Sequence, residues 1–312
     1  MSTVTLIHGL NLAAIYGLMA IGISILWSSV GMINMAHGAT FAASGYAAWQ
    51  VSLIAQPLIA AWLGTGLDAS IAMGATMIAS GLGAGAIFGG LIFLLAYLPI
   101  HEKANFAVRS LIVTLAINLA TVQLLLYFFG PRQRALPKIF GLGRTEILGI
   151  PIRNDQLGTI VATALLMLVV VIWLKRSRKG LEITAMMQNP EGAVLSGISV
   201  RWTALPVTML TGALAGLAAI LLSQTVFVSP TAGALPLIKG LTIALLGGLG
   251  SIPGAIMGAI LIGFLEAIVG SISFLGQRYV LFSQFLFIIT VLIIRPRGLG
   301  GLLDQTRESR NA

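Results

Sequence analysis

Two polar side chains, Asn34 and His37, stand in the segment GMINMAHG (31–38), which lies between two apolar runs. An amide and an imidazole both donate and accept hydrogen bonds, and burying them without partners costs free energy. Glycines tolerate a helix break, and a broken helix leaves N–H and C=O groups that side chains, water or solute must satisfy. We therefore expect Asn34, His37 and Gly38 to cap an interrupted helix and to line a pathway beside it.

Other polar residues lie within apolar runs, where they either line a pathway or fasten helices together. Asn11 and Glu266 are assigned to the pathway, whereas Asn118, Gln123 and Gln224 are expected to form interhelical hydrogen bonds. Glu266 has three alternatives: pairing with Lys239, pairing with a basic residue of a partner subunit, or solvation at the membrane edge. His37 has no His, Cys or carboxylate at ligand spacing, so no metal site is expected.

These residues are positioned by a chain that is 57% hydrophobic and only 9% charged, against about 25% charged in soluble domains. A bilayer span needs about 20 mostly apolar residues. The sequence predicts a single all-α membrane domain over 1–312, a polytopic helical bundle of about eight spans with one or two interrupted or re-entrant helices. The apolar segments fall at about 4–27, 36–62, 70–98, 110–129, 157–174, 203–228, 240–269 and 279–294.

Three basic loops, 101–109, 130–156 and 175–201, separate the middle segments. Basic residues favour the cytoplasmic side, and the cluster Lys175–Lys179 places 175–201 inside and 130–156 outside. Simple spans would then leave the polar C-terminal tail, 295–312, on the wrong side. The conflict disappears if each half has one segment that does not cross fully. GMINMAHG and GGLGSIPGA (247–255) are the glycine-framed candidates, because paired interrupted helices mark transporter pathways.

The loop GLEITAMMQNPEGAVLSGI (180–198) contains Asn189-Pro190-Glu191, which is typical of a helix boundary. Two short helices with a turn between them are expected. A connection of this length is usually functional. No G-x-x-x-x-G-K-[ST] phosphate loop occurs in the chain, so any ATP that drives transport is bound by another chain.

Four segments of the chain, in order, resemble the permeases of branched-chain amino acid (LivH-type) ABC importers. They are GMINMAHG (31–38), the loop with Gly180, Ala185, Ala193, Gly197 and Ile198, LLGGLGSIPGAIMGAILIGFLEA (245–267) and RPRGL (295–299). That family also includes urea and amide importer permeases. The resemblance implies a second homologous permease, two cytoplasmic ATPase subunits that carry ATP and Mg²⁺, an extracytoplasmic solute-binding protein and a bacterial cytoplasmic membrane. No cofactor is expected on this chain.

The resemblance also implies that 175–201 is a cytoplasmic coupling loop. Its expected ATPase contacts are Gly180, Ala185, Asn189, Glu191 and Gly197. The family often has arginine before the loop alanine, where this chain has Thr184.

The function expected from these features is a non-catalytic permease that forms half of a pathway for branched-chain or other neutral amino acids. A urea or short-amide importer and a stand-alone transporter or channel are the alternatives. An enzyme is disfavoured because the chain lacks H-E-x-x-H, cysteine and a nucleophile–base pair. Arg132 and Arg134 are expected to dock the binding protein, and the net charge of +9 indicates basic loops at lipid rather than nucleic-acid binding.

Overall fold

The computed structural model describes residues 3–64, 66–141, 143–147, 150–272, 276–295 and 298–300. Most of them are helical, as predicted. The helices are α1 (Thr3–Val30), α2 (His37–Leu63), α3 (Leu67–Ile92), α4 (Leu98–Ile100), α5 (Phe106–Phe129), α6 (Asn154–Arg176), α7 (Arg178–Gln188), α8 (Pro190–Leu195), α9 (Val200–Leu222), α10 (Ala234–Gly247), α11 (Ile252–Ser271) and α12 (Val280–Ile294). A π-helical turn, Phe93–Tyr97, joins α3 to α4, and a 3₁₀ turn, Gln277–Tyr279, precedes α12.

An antiparallel hairpin of β1 (Arg144–Ile147) and β2 (Ile150–Arg153) lies between α5 and α6. The sequence predicted no strand there. We use "hairpin end" for the end of the bundle at residues 130–153, and "α7–α8 end" for the end at residues 177–199.

Within the described residues, seven helices are long and apolar enough to cross a membrane: α1, α3 with its extension to Ile100, α5, α6, α9, α11 and the 3₁₀ turn with α12. In the most apolar 18-residue stretch of each helix, 83% of the residues of α1 and 67% of those of α9 are buried, against 11% for α5 and 17% for α6. The bundle therefore has α1 and α9 at its centre, and α5 and α6 present most of their surface outward.

Helices α3 and α9 approach each other closely at glycines. A Cβ added to Gly85 or Gly212 would overlap the carbonyl oxygen of the other, and one added to Gly81 would lie 3.0 Å from the Gly216 carbonyl oxygen. These pairs run antiparallel along α3 and α9. Glycines at four-residue spacing on both helices therefore bring the two backbones into contact.

The packing has an inverted two-fold pattern. Helix α1 packs against α11 and α3 against α9, while α2 packs on α3 and α9 and α10 packs on α11 and α1. Exchanging α1, α2 and α3 with α9, α10 and α11 leaves this set of neighbours unchanged. Each half thus contains a long helix, a non-helical break and a helix that begins inside the bundle.

The two breaks that correspond are 31–36 and 223–233, and each precedes a helix, α2 or α10, that starts in the interior. The sequence paired 31–38 with 247–255 instead, and that pairing was wrong. Residues 248–251 form a tight turn between α10 and α11, so the segment predicted at 240–269 is two helices. Helices α2 and α10 both begin in the interior; that one segment in each half does not cross fully stays a prediction.

The division of the predicted segment 240–269 into α10 and α11 resolves the conflict over the C-terminal end, because it adds one passage of the chain between the two ends of the bundle. A surface cavity lined by Val4, Arg144 and Gly270 puts the start of α1 and the end of α11 at the hairpin end. The amide of Leu299 donates to the carbonyl of Leu246, 2.9 Å away, so the segment after α12 lies beside the end of α10. The end of α10 and the segment after α12 both lie towards the α7–α8 end, where α1 packs against α7. Residues 296–297 and 301–312 of the predicted polar tail lie outside the described residues.

Candidate functional site

The break between α1 and α2 is held by hydroxyl groups of α5. The amide of Ile33 donates to Oγ of Ser110 at 3.2 Å, and the amide of Met35 donates to Oγ1 of Thr114 at 2.9 Å. Both hydroxyl residues are fully buried. Neither was identified from the sequence, although serine and threonine are common partners of freed backbone groups in membranes.

The side chain of Asn34, which lies within the break, also satisfies one of its backbone amides. Its Oδ1 accepts a hydrogen bond from the amide of Ala36 at 2.9 Å, as the expected capping role requires. Gly31, with φ +65°, supplies the left-handed turn at the end of α1. The interrupted backbone therefore depends on one amide side chain and two hydroxyl groups.

His37 is the first residue of α2 and is 1% exposed, but it does not cap the helix as the sequence suggested. Its Nε2 has no hydrogen-bond partner among the described residues. A Cβ added to Gly22 would lie 3.2 Å from that nitrogen and 3.5 Å from the Thr211 carbonyl oxygen. The imidazole therefore packs where α1 and α9 cross.

The two interior helix starts meet. A Cβ added to Gly38 would lie 2.8 Å from the Gly233 carbonyl oxygen and 3.2 Å from Cβ of Leu237. Glycine at both positions permits this contact between the first turns of α2 and α10. The N-terminal ends of two helices, each carrying partial positive charge, thus converge inside the bundle.

A cavity of about 270 Å³ lies next to this meeting point, between α1, the break, α5 and α10. Its wall on α10 is Leu237, Leu241 and Leu245, which recur at four-residue spacing on one helix face. Asn34 contributes the one amide side chain, and the other lining residues are aliphatic, methionine or tryptophan. The cavity accepts an apolar group and offers one polar contact.

The opposite face of α10 carries a buried ionic network. Nζ of Lys239 lies 2.8 Å from Oε1 and 2.7 Å from Oε2 of Glu266, and it donates to the Tyr16 hydroxyl at 2.8 Å. Nε2 of Gln284 donates to Oε2 of Glu266 at 2.9 Å. This network joins α1, α10, α11 and α12. Of the three alternatives for Glu266, the structure shows the pair with Lys239.

Asn11 and Glu266 do not line the cavity beside Asn34. Asn11 is 1% exposed on α1, and its Oδ1 has no partner among the described residues. Gln224, expected to be an interhelical bond former, accepts from the amide of Ile139 at 3.0 Å and so holds the loop after α5. The assignment of Asn11 and Glu266 to the pathway stays a prediction.

The loop between α6 and α9 contains the two short helices that the sequence predicted. Oγ of Ser177 caps α7 by accepting from the amide of Gly180 at 2.9 Å, and Oδ1 of Asn189 caps α8 by accepting from the amide of Gly192 at 3.0 Å. Thr184 donates to the Gly180 carbonyl at 2.8 Å, so it serves the local helix. The loop is ordered by its own hydrogen bonds.

The expected coupling residues fall into two groups. Gly180 is buried and packs on the backbone of Trp173 and Leu174, where a Cβ has no room. Ala185 is half-buried, whereas Asn189, Glu191 and Gly197 are exposed. Gly180 thus shapes the loop, and the exposed residues present a surface.

The most exposed apolar side chain on that surface was missed from the sequence. Leu195 at the end of α8 is 89% exposed, and Trp202 at the start of α9 is 60% exposed. Glu182 accepts from Oγ1 of Thr203 at 3.3 Å and so ties α7 to α9.

Arg132 and Arg134 lie at the hairpin end but differ in environment. Arg132 is exposed. The guanidinium of Arg134 stacks 4.6 Å from the ring centroid of Trp49, and its backbone exchanges two 2.8 Å hydrogen bonds with Val228. Arg134 therefore holds the loop against α2 and the second break. No group of three or more metal-ligating side chains occurs among the residues that the structure describes.

The fold and the site define a class: a multi-pass membrane permease whose two inverted halves meet at broken helices. The chain belongs to the family described as branched-chain amino acid transport system / permease component, whose model matches residues 5–294.

Curated relatives agree with that assignment. The chain is 30% identical over 301 residues to the high-affinity branched-chain amino acid transport system permease protein LivH of Escherichia coli K12, covering 94% of each chain. It is 31% identical to the permease protein BraD of Pseudomonas aeruginosa, covering 95% of this chain and 94% of that one. A probable LivH of Methanocaldococcus jannaschii is 29% identical over 231 residues, 69% of this chain and 72% of its own.

Proposed function

We propose that this chain is one permease domain of an ATP-driven importer for branched-chain or other neutral amino acids in the bacterial cytoplasmic membrane. The observation that carries the proposal is family membership over residues 5–294, together with relatives that are named for branched-chain amino acid transport. The chain forms half of a pathway, and a second homologous permease supplies the other half.

The α7–α8 end supports coupling to separate ATPase subunits. Leu195 is 89% exposed on a capped, two-turn helix, and such an exposed apolar side chain fits an apolar groove of a partner protein. Exposed basic residues lie on the same loop and at its end, including Arg178 and Arg201. In this proposal α7 and α8 face the cytoplasm and dock on two ATPase subunits, which bind ATP and Mg²⁺, while this chain is non-catalytic.

The hairpin end then faces outward and receives a solute-binding protein. Exposed arginines there, Arg132 and Arg144 among them, offer charge to carboxylates of that protein. The aliphatic cavity beside Asn34 supports an amino acid with an apolar side chain over urea, because urea has no apolar part to fill it.

The test is reconstitution of the assembled permeases, ATPases and binding protein in proteoliposomes, with radiolabelled leucine and ATP inside. Leucine should accumulate only with ATP and all subunits. Leu195→Glu should uncouple ATP hydrolysis from uptake, while Leu195→Met, which keeps an apolar side chain at the same position, should leave both unchanged. Uptake by the purified chain alone, or uptake of urea but not of leucine, would refute the proposal.

A further inference from the structure

The cavity beside Asn34 has an apolar wall built by one helix face. Leu237, Leu241 and Leu245 follow each other every four residues on α10, so their side chains lie one above another. Lys239 and Ile243 are buried on the other side of the helix, within the core. Helix α10 thus separates the ionic network from the cavity, and the cavity remains free of charged side chains.

The cavity has a single polar side chain, Asn34, in an otherwise apolar lining. Asn34 uses Oδ1 to cap the break, and no described residue accepts a hydrogen bond from its Nδ2. The first turns of α2 and α10 meet at Gly38 and Gly233, with Leu237 adjacent, but the glycines themselves do not line the cavity. The free Nδ2 of Asn34 can donate to an anionic oxygen, and the partial positive ends of the two helices lie behind the cavity wall.

The whole cavity therefore suits a molecule with a carboxylate at one end and an aliphatic group at the other. Its volume of about 270 Å³ is just below the usual range for ligand pockets, about 300–1,000 Å³. That size fits one small aliphatic solute.

We propose that this cavity is a binding subsite for the transported solute, in which Asn34 Nδ2 donates to the carboxylate and the α10 leucines contact the aliphatic side chain. This inference rests on the proposed function and adds the place where the solute is recognised within the permease. Leu241, in the middle of the leucine row, is then a specificity-determining residue.

The first test uses the fact that the chain contains no cysteine. In the assembled transporter, Leu241→Cys is treated with a small thiol reagent in the presence and absence of leucine. Leucine should slow labelling at least about threefold, and alanine should slow it less. Leu235→Cys, also on α10 but 52% exposed and not among the lining residues, is the matched control and should label at an unchanged rate.

The second test measures selectivity. Leu241→Ala enlarges the cavity and should raise the uptake of phenylalanine relative to leucine by about tenfold, because the fit of each methylene-sized group is worth at least that factor. Leu241→Phe should suppress leucine uptake more than alanine uptake. The same two changes at Leu235 should leave the ratios as in wild type.

The outcomes separate this inference from the function it rests on. If the wild-type complex accumulates leucine with ATP but leucine does not protect Leu241→Cys, the subsite is wrong and the importer function stands. Equal protection at both cysteines would also overturn the subsite, since it would report a global change. If the wild-type complex accumulates no neutral amino acid, the proposed function fails first and the subsite fails with it.

Discussion

Lys239 on α10 and Glu266 on α11 form an ion pair in the interior of the bundle, with Nζ 2.7 Å from Oε2. Each side chain is about a tenth exposed, and the Tyr16 hydroxyl and the Gln284 amide occupy further hydrogen-bonding positions. A buried pair of this kind adds little stability over an apolar replacement, but removing one partner leaves an uncompensated charge. Its role is to fix α10, which begins inside the bundle, against α1, α11 and α12.

Glu266→Ala should therefore destabilise the protein by about 3–5 kcal/mol, because Lys239 remains buried without its partner. The double variant Lys239→Met/Glu266→Gln should recover most of that loss. Thermal unfolding of the purified protein in detergent measures both. The exposed pair Lys179–Glu182 is the control, and Glu182→Ala should cost less than about 1 kcal/mol. A single variant as stable as wild type would contradict a structural role for the network.

The close contact of α3 and α9 predicts that two neighbouring glycines, Gly83 and Gly85, differ in how much stability an alanine substitution costs. Gly85→Ala places a methyl group against the Gly212 carbonyl and should cost about 1–3 kcal/mol or more. Gly83→Ala, two residues away on the same helix, meets nothing within 4 Å and should be neutral or slightly stabilising. Yield of monodisperse protein and its melting temperature report the difference. Equal effects at the two sites would show that α3 and α9 are further apart.

The hydroxyls that hold the break give a third prediction. Ser110→Ala and Thr114→Val should each destabilise by about 1–3 kcal/mol, because a buried amide of 31–36 loses its acceptor. Thr121→Val on the same helix is the control, since its hydroxyl bonds only the Ile117 carbonyl of its own helix. The melting temperature should fall for the first two variants and stay within error for the third. No difference between Thr114→Val and Thr121→Val would mean that the break does not depend on α5.

The two arginines at the hairpin end should respond differently to charge reversal. Arg132→Glu should weaken docking of the binding protein without changing the melting temperature, and the defect should shrink as salt screens the charges. Arg134→Glu should lower the melting temperature as well, because it loses the stacking on Trp49. Binding of labelled solute-binding protein to the permease in nanodiscs measures docking. Arg178→Glu, at the α7–α8 end, should not affect it.

The composition and the helix-boundary residues predicted much of the fold. Long uncharged runs predicted the helical bundle, and the glycines around Asn34 predicted a broken helix. Asn189-Pro190-Glu191 predicted the boundary between α7 and α8, because proline fixes a helix start and asparagine caps it. These signals are local, so a single sequence contains them.

The rest depended on contacts between distant segments. An apolar run does not show where it lies within the bundle. Val226–Val228 therefore extended the predicted span at 203–228 and hid the second break. The segment GGLGS, which was predicted as a break, forms the turn between α10 and α11. Ser110 and Thr114 resemble other hydroxyl residues that bond their own helix, and only packing shows that they serve the break. Arg134 looked like its neighbour Arg132 until Trp49 was placed beside it.

The glycine contacts between α3 and α9 have a mechanical consequence. Helix α9 begins directly after the two short loop helices, is tied to α7 through Thr203 and Glu182, and ends close to Arg134 and Val228. Two backbones in contact at glycines cannot slide past each other without losing that fit, so α3 and α9 should move together as one rigid unit. A displacement of α9 at the α7–α8 end would therefore also displace both helices at the hairpin end.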